Sequence, residues 1–93
     1  MYKKRTDVNQ KAIYKQFKQL GIEYVDTSKF GNGFGDCIAK YRDKAYILEI
    51  KNPDIAWKLT EDEIKMHRFL YKTQLEIKVV EDIEDVLKLF GIN

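Results

Sequence analysis

The sequence is poor in the residues that impose special architectures: 93 residues contain one Cys, one Pro, one His and five Gly. A single cysteine, Cys37, leaves no disulfide framework and no cysteine-based zinc site, and it fits a reducing compartment. So little Pro and Gly excludes collagen-like and linker-like chains. Apolar residues come only a few at a time, so neither a membrane span nor a signal-peptide core is expected. Internal repeats and low-complexity tracts are missing too, which leaves one compact unit, residues 1–93, as the expected organisation.

What is present is the composition of a small folded domain, 44% hydrophobic and 34% charged, with one Trp, six Tyr and five Phe. A chain of this length buries somewhat over about 60% of the surface that its unfolded state exposes, enough for a thin core. The net charge of +2 conceals an uneven distribution. Residues 1–18 carry six basic side chains (Lys3, Lys4, Arg5, Lys11, Lys15, Lys18) against one acid, Asp7, so the rest of the chain is net acidic. A basic leading segment suits a surface that meets phosphate, and equally a solvated helix face.

The element order reads α-β-β-β-α-β-α, a mixed sheet flanked by helices and so an α/β or α+β domain. Asp7 has the character of an N-cap, with Gln10 placed to complete a capping box. Ile13, Phe17 and Leu20 then form an apolar stripe that Gly21 closes. A short strand, Glu23–Val25, leads into a loop with three glycines (Gly31, Gly33, Gly35). Two alternating runs, Asp36–Tyr41 and Ala45–Lys51, read as a β-hairpin. Thr60 opens a second helix, Leu75–Val80 is a strand, and Asp82–Phe90 is a terminal helix ended by Gly91.

The chemistry gathers on the hairpin. Side chains alternate along a strand, so Tyr46, Leu48 and Ile50 form an apolar side, while Ala45, Ile47, Glu49 and Lys51 share the other. With Asp43 and Lys44 as a two-residue turn, Asp36 lies opposite Lys51 and diagonal to Glu49, about 7–8 Å away at Cβ. An odd-length turn would send Asp36 to the opposite face. Two carboxylates and a lysine in this arrangement can hold Mg²⁺, which takes one or two protein carboxylates, and can activate water against a phosphodiester. The plain alternative is a cross-strand Asp36–Lys51 ion pair with Glu49 solvated.

The series Gly33-Phe34-Gly35-Asp36 followed by Leu48-Glu49-Ile50-Lys51 resembles the D-x(n)-E-x-K core of the PD-(D/E)XK nuclease superfamily. With Asn9-Gln10, Leu59-Thr60-Glu61-Asp62-Glu63 and Asp82-Ile83-Glu84-Asp85-Val86, the chain resembles small phage and bacterial VRR-NUC-like nucleases over about residues 7 to 91. The resemblance implies a restriction-endonuclease-like core and a metal-dependent DNA endonuclease using Mg²⁺ or Mn²⁺. It implies Asp36 and Glu49 as metal ligands with the Ile50 carbonyl, and Lys51 aiding the attacking water. It also implies branched DNA such as a Holliday junction as substrate, in the cytoplasm of a bacterium or phage-infected cell; a homodimer is expected because so short a chain offers little surface to grip a duplex. Gly35 stands where the pattern has Pro, which is expected to loosen the loop before Asp36.

Gln10 faces inward from its helix, either bordering the metal site as a catalytic residue or completing the capping box. Lys3, Lys4, Arg5, Lys11 and Lys15 are the candidate phosphate contacts, which position DNA without reading its sequence. Glu63 and His67, one turn apart, can face the same site, with His67 in a supporting role. Trp57 and Tyr71 are able to stack on bases or simply to pack, and Cys37 reads as buried filler. Two other function classes stay open: a non-catalytic nucleic-acid-binding or assembly module with the nuclease fold, and a protein-binding regulator.

Overall fold

The computed structural model describes residues 5–93, with side chains from residue 8 onward. The elements are α1 (Arg5–Leu20), β1 (Glu23–Asp26), β2 (Cys37–Tyr41), β3 (Lys44–Ile50), α2 (Glu61–Leu70), β4 (Ile77–Val80) and α3 (Ile83–Phe90), in the expected order. The result is an α+β domain: the four strands form one sheet in the order β1-β2-β3-β4. The first three run antiparallel as a meander, and β4 returns parallel to β3 after α2 crosses over.

Alternation along β3 splits the molecule into layers. Leu48 and Ile50 point to one face, where α1 supplies Ile13 and Phe17 and α3 supplies Val86 and Phe90. Cys37 and Ala39 of β2 and Val80 of β4 complete this core, and Cys37 is fully buried as expected. Ile47 points to the other face and packs with Leu70 of α2 and Ile77 of β4, covered by Met66, Ile38 and Phe34. The second core is small, so polar side chains further along that face meet α2 instead of solvent.

Two local expectations are corrected. The first helix already includes Arg5, so Asp7 lies within it and is not its N-cap, and the capping-box role for Gln10 goes with it. Arg5 and Thr6 are neither Pro nor Gly, and they let the helix begin earlier. The hairpin turns on Arg42-Asp43 rather than Asp43-Lys44: Tyr41 faces Lys44 and Cys37 faces Leu48. Arg42 takes a left-handed backbone (φ 57°), a conformation that two-residue hairpin loops demand and that arginine seldom supplies. The register therefore shifts by two residues. Parity is kept, and Asp36 comes level with Glu49 instead of Lys51.

Helix ends follow their sequence signals. Thr60 caps α2 in a full capping box: its hydroxyl accepts from Glu63 N (3.2 Å) and its own N–H donates to Glu63 Oε1 (2.9 Å). Asp82 caps α3 through the Asp85 N–H at 2.9 Å. No helix among the described residues is long and apolar enough to cross a membrane.

Candidate active site

Asp36 sits just ahead of β2 and is fixed on three sides. Its N–H donates to the Leu48 carbonyl and its own carbonyl accepts from Thr27 N, both at 2.8 Å. Its carboxylate Oδ2 accepts the Ile50 N–H at 2.7 Å. The expected looseness at Gly35 is thus corrected. Gly35 has φ 120°, and a Cβ there would lie 2.8 Å from Ile47 Cγ2. Proline, whose φ is locked near −65°, cannot occupy this position, so glycine here fits the loop closely onto β3.

Glu49 comes from the middle of the sheet and is only 3% exposed. Its Oε2 lies 3.8 Å from Lys51 Nζ. No donor reaches its Oε1, which is buried; the neighbouring group is the Asp36 carboxylate, another acceptor. An unsatisfied buried acceptor costs about 1–3 kcal/mol. Burial first, and the Asp36 charge second, push the Glu49 carboxyl up to about 9. Burial also raises Asp36, against the pull of the Ile50 N–H and Lys51. Burial and mutual repulsion thus disfavour ionising both acids together.

Lys51 is 8% exposed, and its N–H continues the β3–β4 ladder to the Val80 carbonyl at 2.9 Å. Its ammonium group donates to Glu63 Oε1 at 3.0 Å, the same oxygen that closes the α2 capping box. Burial pushes Glu63 up, but the Thr60 N–H and Lys51 outweigh it and the net shift is downward. Glu63 is thus an anion that holds the lysine in place. His67, one turn on, has a buried Nε2 without a partner, and burial lowers its pKa, leaving a neutral imidazole.

The glycine loop closes the site from the side. Gly31, Gly33, Gly35 and Asp36, facing Thr60, Asp62 and Glu63, line a cleft of about 200 Å³. A Cβ on Gly33 (φ 72°) would fall 2.5 Å from the Asp62 carbonyl carbon and oxygen. Only glycine lets the loop touch the α2 N-terminus this closely. Gly33→Ala is expected to cost on the order of 2–3 kcal/mol in urea unfolding, from backbone strain plus displaced helix. A loss below about 0.5 kcal/mol, the scatter of neutral surface changes, would show that loop and helix are not so joined. A larger cavity, about 340 Å³, lies between the Arg42 turn and Asn93. Its single acid, Asp43, gives it no comparable chemistry.

Of the expected site residues, Asp36, Glu49, Ile50 and Lys51 come together, with the Ile50 peptide fixed by its bond to Asp36. Gln10 is buried on α1, inward as anticipated. Lys11 and Lys15 are exposed on α1; Lys3 and Lys4 lie outside the described residues, as does the side chain of Arg5. Trp57 donates to Glu81 Oε2 at 2.8 Å and has its ring 5.9 Å from Lys51 Nζ. Tyr71 is exposed.

Sequence reasoning singled out Gln10 and passed over its neighbour. Asn9 Nδ2 donates to the Lys51 carbonyl at 2.9 Å and to the Glu81 carbonyl at 3.1 Å, tying α1 to the ends of β3 and β4. Nothing local marks that contact. Glu63, read as able to face the site with His67, reaches it through its bond to Lys51, which the capping-box spacing from Thr60 does not reveal.

Among the described residues no three His, Cys, Asp or Glu side chains form a ready metal cage. Mg²⁺ asks for less, one or two carboxylates completed by water and substrate oxygens. Asp36 and Glu49 fit that need, since the partnerless Glu49 Oε1 is an atom that a cation would satisfy. No protein-family model matches the chain, and comparison with curated proteins and with solved structures found no significant match.

Proposed function

We propose that this chain is a metal-dependent endodeoxyribonuclease with a restriction-endonuclease-like core of the VRR-NUC-like, PD-(D/E)XK kind. The observation that carries the reading is Glu49: a carboxyl 3% exposed, beside a second acid, with one oxygen lacking any donor. A purely structural role suits such a position badly. Buried charges are commonly matched or bettered in stability by apolar residues of similar size.

Asp36 and Glu49, with the Ile50 carbonyl, would hold Mg²⁺ or Mn²⁺. When bound, the ion supplies Lewis-acid polarisation of the phosphodiester and of the attacking water. The chain's own residues do the positioning. Asp36 is fixed by the Ile50 N–H before any ligand arrives, so its oxygens need little reorganisation. Lys51, steadied by Glu63, presents an ammonium group that orients the water and offsets charge growing on the phosphorane oxygens. The neutral His67 beside Glu63 adds no competing charge. A homodimer would double the DNA footprint and bring two sites to two strands, which suits branched DNA.

The test is cleavage of four-way, flap and linear duplex DNA by the purified protein with Mg²⁺, Mn²⁺ or EDTA. Cutting is expected with either metal, most on the four-way substrate, and none in EDTA. Intact DNA of all three kinds with both metals would leave a binding module in place of an enzyme. A light-scattering mass near one chain would remove the dimer.

A further inference from the structure

Lys11, Lys15 and Lys18 recur at intervals of four and three on α1, and all three are exposed. That spacing places them along one side of the helix. Together with Tyr14 and Tyr24 they line a groove of about 270 Å³ between α1 and β1, and no acid is among the described residues of its lining. The floor is aromatic but already occupied. Tyr14 stacks on Tyr24 with ring centroids 4.2 Å apart, and Phe17 packs against both rings. The Tyr14 hydroxyl donates to Asp26 Oδ2 at 3.0 Å and reaches the Asp36 carbonyl at 3.3 Å. A base would find Tyr14 already engaged, so what the groove offers a ligand is charge, chiefly the ammonium groups of Lys15 and Lys18.

The helix that lines the groove is also tied to the peptides of two site residues. Asn9 joins the start of the same helix to the Lys51 peptide, and Tyr14 touches the Asp36 peptide. From Lys11 to Lys18 the helix advances about 10 Å, the rise of three to four successive phosphates in one strand at about 3.4 Å each. We infer that this groove carries the sugar–phosphate backbone of the substrate strand, gripped by charge alone, and leads it to Asp36 and Glu49. Lys18 joins the phosphate contacts on this account. The inference rests on the nuclease reading for its direction, and its grip on DNA is measured separately from cutting.

The experiment compares the parent with Lys15→Ala/Lys18→Ala and with a control pair on other surfaces, Lys44→Ala/Lys88→Ala. Binding of labelled duplexes of two unrelated sequences is followed by fluorescence anisotropy in EDTA across a salt series, and cleavage of the same DNA is followed in Mg²⁺. The groove pair is expected to bind about tenfold more weakly, with a log K against log salt slope shallower by about 1.8, the loss of two phosphate contacts. Both sequences should be affected alike, cleavage should fall in parallel, and the control pair should match the parent. A loss confined to one sequence, or binding lost to phosphatidylserine vesicles but not to DNA, overturns the inference. Undiminished binding and cutting by the groove pair overturns it and leaves the nuclease reading intact. Groove-dependent binding by a parent that cuts nothing supports the groove and sinks the nuclease reading.

Discussion

Glu49→Gln is expected to lower metal-dependent cleavage by about a thousandfold or more and, at the same time, to make the folded chain more stable at pH 8. The first effect follows from the loss of an anionic oxygen where a cation would sit. The second follows from the shifted titration. The folded protein holds the Glu49 proton up to about pH 9, against an ordinary value of 4.5. The unfolded chain releases it earlier, so the stability linked to this group is complete below about pH 4.5 and is lost as pH rises towards 9. Glutamine has nothing to release. Urea midpoints of parent and variant should nearly coincide at pH 5 and separate progressively to pH 8, by an amount on the order of a few kcal/mol at about 1.4 kcal/mol per pH unit. Mg²⁺ should raise the parent's midpoint at pH 8 by mass action and leave the variant's unmoved. Parallel curves from pH 5 to 9 would mean that burial does not raise the Glu49 carboxyl.

Lys51→Met should do the reverse to stability. Among the described residues it removes the one cation paired with both carboxylates, Glu49 at 3.8 Å and Glu63 at 3.0 Å. Breaking a buried pair from one side costs about 3–5 kcal/mol, because the remaining charge is left without compensation. Glu63 is already anchored to the Thr60 N–H at 2.9 Å and cannot swing freely into solvent without opening the cap of α2. A denaturation midpoint lower by about 3 kcal/mol at pH 7 is therefore expected, recovering as pH falls and the acids take up protons. Cleavage should also be lost. The double variant Lys51→Met/Glu63→Gln separates the two roles: stability should return in large part, and cutting should not. Cleavage restored along with stability would reduce Lys51 to a structural ion pair.

The order of elements and the sharing of one face by Asp36, Glu49 and Lys51 were legible because period-two alternation and an even-length turn leave little freedom. The turn itself was misplaced, since Arg42 is an unfavourable residue at positive φ and Asp43-Lys44 was taken as the two-residue turn. An error of two residues preserves parity, so the face survived although the partner of Asp36 changed. The start of α1 was misread for a similar reason: Asp7 has cap chemistry, but a helix begins at such a residue only when what precedes it cannot continue. The contacts that fix the site had no local signature. Asn9 meets a peptide 42 residues away, Lys51 meets an acid on a helix from another layer, and the need for glycine at position 33 exists only because Asp62 lies against it. Such demands are set by tertiary approach and leave no periodic trace.

The single parallel pairing in the sheet also bears on the order of assembly. The meander of β1, β2 and β3 closes through short turns and loops, whereas β4 must come back across α2 before it can join β3. Pairings of distant segments are the slow ones, because loop entropy is lost before contacts repay it. Lys51 completes its backbone bond only against Val80, and Asn9 can clasp both strand ends only once they are side by side. The frame around Asp36, Glu49 and Lys51 is therefore complete only once β4 has docked, and a partly folded chain carries these side chains without it.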